Sequence, residues 1–130
     1  MEFIIFCNGE PIGHSDLAFS DEGMGVRNGL FHPLPAYHRV APLFRDFSRL
    51  RNEHTIGSEE SGPLQNIRAM IENLQLEVRT ASGEPIGILW VCIEDFSDEV
   101  GDSGREVTLV TAERGTYERF FGSKETTPKK

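Results

Sequence analysis

The chain has 130 residues, 38% of them hydrophobic, with nine Phe, two Cys and a formal net charge of −8. That is one domain's length, enough to bury about two thirds of the unfolded surface, and the composition excludes a collagen, a disulfide-stapled miniprotein and a wholly disordered chain. The acidic excess argues against general binding to nucleic acid, which draws its affinity from cations that neutralise phosphates, and against docking on an anionic membrane.

The charge is uneven. Residues 53–104 carry 11 acidic and only 2 basic side chains, whereas residues 1–52 carry 6 and 5. The first residues, MEFIIFCNGE, lack a basic leader segment, and their apolar run is too short for a signal peptide or a membrane span. The expected compartment is the cytoplasm. Cys7 and Cys92 lie in separate apolar runs and read as buried free thiols.

The pattern repeats itself. Gly9-Glu10-Pro11-Ile12-Gly13 returns 74 residues later as Gly83-Glu84-Pro85-Ile86-Gly87. Phe19-Ser20-Asp21-Glu22 returns 77 later as Phe96-Ser97-Asp98-Glu99, and Tyr37-His38-Arg39 returns 80 later as Tyr117-Glu118-Arg119. The order is kept, which predicts a duplicated unit over about 1–53 and 74–122, joined by a loop and a helix over 54–73.

In chain order, Glu2–Cys7 is a strand apolar on both faces. Asn8-Gly9 supplies the positive-φ residues of a tight turn. Ile12–Phe19 is the return strand, and a weaker strand follows near Val26–His32, ended by Pro33 and Pro35. Ala36, Val40, Leu43, Phe44, Phe47 and Leu50 form one helical stripe, which Pro42 should bend or divide in two. Residues 54–62 read as a loop. Pro63–Asn73 reads as a helix with proline in its first turn.

The second unit repeats the plan. Leu74–Thr80 alternates as a half-buried strand, Ser82-Gly83 turns it, and Ile86–Phe96 is long and rich in β-formers. After a Gly-containing loop, Arg105–Thr111 alternates again, and Glu113–Phe121 reads as a short helix. Residues 123–130 are expected to be a disordered tail. The predicted class is therefore α+β: mainly antiparallel sheet from two β-β-β-α units, with helices packed on one side, in one domain over 1–122.

No strong catalytic motif stands out. Lysine is absent before position 124, which removes a P-loop ammonium. Gly23–Gly29 does not lead from a strand into a helix and is not a dinucleotide fingerprint. No cofactor is expected. His14 and Asp16, two apart on a strand, share one face, and with His32 and His38 they make a candidate His/carboxylate metal set. The denser feature is acidic. Glu94, Asp95, Asp98, Glu99 and Asp102 crowd into nine residues, and Asp21 and Glu22 echo them in the first unit.

These observations point to a small acidic cytosolic binding protein whose partner is a basic protein. An inhibitor or immunity-type protein that neutralises a cationic toxin is one form this takes, by analogy of size and charge alone. The alternatives are a small-molecule or metal domain around the histidines, with or without an enzymatic activity, and a structural homodimer. No contact with nucleic acid or membrane is expected.

Overall fold

The computed structural model describes residues 2–21, 25–53, 59 and 61–121. It is an α+β fold with four helices and two four-stranded antiparallel sheets. β1 (Phe3–Cys7), β2 (Glu10–Ser15), β3 (Phe19–Asp21), β4 (Val26–Leu30) and β5 (His32–Pro33) come first. A 3₁₀ turn (Pro35–Arg39), α1 (Ala41–Glu53) and α2 (Gly62–Asn73) follow. The second part holds β6 (Leu76–Thr80), β7 (Ile88–Asp95), α3 (Ser97–Val100), a 3₁₀ turn (Gly101–Gly104), β8 (Arg105–Thr111) and α4 (Arg114–Phe121).

One sheet runs β5-β2-β1-β6 and the other β3-β4-β8-β7. The single return strand expected over Ile12–Phe19 is thus two strands in two sheets. The break has a local cause. Leu17 adopts φ +48, with its amide donating to Ser15 Oγ (3.1 Å), while the Ala18 amide donates to Asp16 Oδ1 (3.1 Å). These short side-chain-to-backbone bonds replace ladder bonds and turn the chain. Leu17 is fully buried, which offsets the cost of its left-handed backbone. Gly29 makes the crossing sterically feasible. A Cβ there would lie 2.6 Å from Ser15 Oγ and 2.8 Å from the Leu17 amide nitrogen.

The helices follow their sequence signals. The Pro42 split is real: the 3₁₀ turn ends at Arg39, and Pro42 sits in the first turn of α1, where a missing N–H costs nothing. Ser61 caps α2, accepting from the Leu64 amide at 3.2 Å, with Pro63 in the first turn. The segment after Phe96, expected as a loop, forms the short helix α3 and a 3₁₀ turn.

One core joins both sheets to the helices. Phe3, Ile5 and Ile12 of the first sheet meet Ile93, Val107 and Leu109 of the second, and Phe44 and Phe47 of α1 complete the cluster. The proposed tail, residues 123–130, lies outside the described residues, as does most of the loop 54–62. No helix among the described residues is long and apolar enough to cross a membrane.

Candidate functional site

The acidic stretch divides by depth. Asp95, the last residue of β7, is only 2% exposed. Its carboxylate accepts from Tyr37 Oη (2.5 Å), Ser97 Oγ (2.6 Å) and the Ser97 amide (2.9 Å), and from Arg105 Nε at 3.4 Å. Its own amide donates to Ser48 Oγ (2.8 Å), and that hydroxyl donates in turn to the Phe44 carbonyl (2.8 Å). Arg45 Nε, buried and without a hydrogen-bond partner, adds positive charge 3.8 Å away.

This knot ties the 3₁₀ turn, α1, β7, α3 and β8 together at one carboxylate. Burial pushes the Asp95 carboxyl up, but the Ser97 and Tyr37 hydrogen bonds and the Arg105 charge outweigh it and hold it below the usual carboxylate range. The same burial, with the hydrogen bond to Asp95, pushes the Tyr37 phenol far up, so it stays a donor. Tyr37 also stacks on Phe44 (6.2 Å between ring centres) and meets Phe31 at 5.0 Å.

Above this root stand the exposed carboxylates. The Asp98 side chain is 75% exposed and that of Asp102 is 100% exposed, and Glu99 is exposed beside them. Arg45 approaches Asp98 at 3.9 Å, and Arg105 reaches Asp102 at 3.2 Å. Glu94 is half-buried, 3.9 Å from Arg51. A cleft of about 110 Å³ opens between Asp95, Asp98, Glu99 and the arginines of α1. Asp95 itself is buried and lies beneath the exposed carboxylates. Asp21 ends β3, and the register places it at the opposite end of that sheet from Asp95; Glu22 lies outside the described residues.

The histidine set separates too. His14 and His32 are directly opposed on β2 and β5, with ring centres 5.1 Å apart. Asp16 lies beyond the end of β2, where its carboxylate caps the bend, and His38 is exposed in the 3₁₀ turn. Among the described residues, no three His, Cys, Asp or Glu side chains form a metal cluster.

Both cysteines are free and buried, and burial raises each thiol, that of Cys92 to about 12. They are therefore protonated and poorly nucleophilic at neutral pH. Cys92 lines a groove of about 450 Å³ beside the exposed Leu89 and Trp90 of β7.

Sequence reading grouped Asp95 with the surface carboxylates and missed Tyr37, Ser48, Ser97 and Arg105 as its partners. The available signal was position: a carboxylate closing an apolar strand needs partners. Comparison with protein-family models, with curated proteins and with solved structures gave no match.

Proposed function

We propose that this chain is a binding protein that presents the Ser97–Gly104 segment to a basic protein partner. One observation carries the reading: exposed Asp98, Glu99 and Asp102 stand on a short helical segment whose root, Asp95 of β7, is held from four other elements. Carboxylates fixed in advance lose little side-chain and loop freedom on association. Their field steers a cationic partner and sets its orientation. An inhibitor or immunity-type protein for a cationic toxin remains the concrete form that fits this size and charge.

The test is capture from an extract of the source cell on immobilised wild-type protein and on the D98K/E99K variant. A basic protein retained by the first and lost by the second, with retention falling as salt rises, supports the reading. An identical set of captured proteins on both overturns it. Both side chains are exposed, so the variant keeps its fold.

We further infer that the two halves are copies of one unit related by an internal two-fold. Gly9 and Gly83 both take positive φ (85° and 99°), and Ile12 and Ile86 are both buried. Glu10 pairs with Arg39 as Glu84 pairs with Arg119, and Tyr37 and Tyr117 are both buried. β1 lies beside β6 with Ile5 opposite Val78, and β4 beside β8 with Asn28 opposite Thr108. Those last two are 80 positions apart, like Tyr37 and Tyr117. The acidic segments fall outside this relation, since Phe19-Ser20-Asp21 is strand and Ser97-Asp98-Glu99 is helix. Arg39→Ala and Arg119→Ala are expected to shift the denaturation midpoint by equal, small amounts, as exposed pairs do. A large effect from one and none from the other would count against equivalence.

A further inference from the structure

The histidine pair supports a site independent of the acidic segment. β2 and β5 pair at Gly13–Pro33 and His14–His32, so the two imidazoles project side by side from one face of the sheet. Their ring centres are 5.1 Å apart with planes inclined by 32°. His14 Nδ1 lies 2.5 Å from Glu2 Oε1. A carboxylate on one ring nitrogen fixes the tautomer and orients the ring, the usual support of a metal-bound histidine.

We propose that His14 and His32 chelate one borderline divalent transition ion, with Glu2 as the positioning carboxylate. Two imidazole nitrogens about 2.0–2.1 Å from one ion stand roughly 3 Å apart. Opposed rings at this separation reach that geometry by rotation about χ2, a soft torsion for histidine. Water fills the remaining positions, because no third ligand of this chain converges there among the described residues. Imidazole donors select Cu²⁺, Ni²⁺ and Zn²⁺ over Mg²⁺ and Ca²⁺, and the affinity order places Cu²⁺ first. Asp16 and His38, the other members of the sequence-derived set, take no part.

The experiment is calorimetric titration of the full chain with Cu²⁺, repeated with Zn²⁺ and Mg²⁺ and on four variants. One Cu²⁺ per chain is expected, Zn²⁺ weaker, and no heat from Mg²⁺. His14→Ala and His32→Ala should each weaken Cu²⁺ at least tenfold, His38→Ala should change nothing, and Glu2→Gln should weaken it about 10-fold or more. Electron spin resonance of the bound Cu²⁺ should show two coordinated imidazole nitrogens in the wild type and one in His32→Ala. Absence of binding, or binding that survives both His14→Ala and His32→Ala unchanged, overturns the proposal. All four side chains lie at the surface, so loss of fold does not confuse the result.

Discussion

Asp95→Ala is expected to lower the unfolding free energy by about 3–5 kcal/mol, the range for breaking a buried charged pair from one side. The Arg105 Nε–H, the Tyr37 hydroxyl and the Ser97 hydroxyl would all lose their acceptor in a place water reaches poorly. Such a loss is a large share of the total for a domain, roughly 5–15 kcal/mol. Tyr37→Phe removes one hydrogen bond to a charged group and should cost about 1.5–3 kcal/mol. Urea denaturation followed by Trp90 fluorescence measures both.

The pH dependence carries a sign. The Asp95 carboxyl is depressed in the folded state, so its contribution is fully present above the ordinary carboxyl value near 4. It is lost as pH falls from there through the folded value. The stability gap between wild type and Asp95→Asn should therefore be constant from pH 5 to 7 and should shrink below about pH 4. A loss under about 1 kcal/mol for Asp95→Ala, or a gap indifferent to acid, would remove Asp95 from its role as the root of the acidic segment.

The second large effect separates the two pentapeptides. A Cβ at Gly13 would lie 2.2 Å from Phe31 Cζ and 2.9 Å from the His32 carbonyl oxygen. Phe31 is 1% exposed and wedged against Tyr37, so its ring has nowhere to move without displacing the core. Gly13→Ala is expected to cost about 1–3 kcal/mol by overpacking. At Gly87 the nearest atom is Thr116 Oγ1 at 3.7 Å, an ordinary contact, and Gly87→Ala should stay within about 0.5 kcal/mol. Denaturation midpoints of the two variants decide the matter. Equal tolerance would mean that the Gly13 crossing is looser than its contacts indicate.

This contrast also marks the limit of reading the letters. Five identical residues stand at two places, and both glycine turns and both glutamate–arginine pairs are alike. Yet Gly13 lies inside β2 under Phe31, while Gly87 lies open between a bridge and β7. Local chemistry is shared because turn geometry and ion pairing depend on near neighbours. Packing differs because the ring that fills the space at Gly13 is that of Phe31, in the link between β4 and β5, which the pentapeptide does not specify.

The acidic segment behaves the same way. Five carboxylates in nine residues were visible as a charge concentration. Their division into a buried Asp95 and exposed Asp98 and Asp102 was not, since the partners of Asp95 come from residues 37, 48, 97 and 105. Hydropathy hinted at it, because Asp95 closes an apolar strand. The histidine pair was half legible: His14 and His32 were singled out with Asp16 and His38, and strand pairing chose two of the four.

What the residues determined unaided is the local layer: the α+β class, the strand–turn corners at Gly9 and Gly83, the helix interruption at Pro42 and a helix with Pro63 in its first turn. Each follows from propensities and periodicities that act over a few neighbours. What only the tertiary structure decided is which sheet a strand joins, which carboxylate goes inside and which histidines meet. Those outcomes rest on contacts between residues far apart in sequence, whose free energy is set by packing and desolvation in a shared interior.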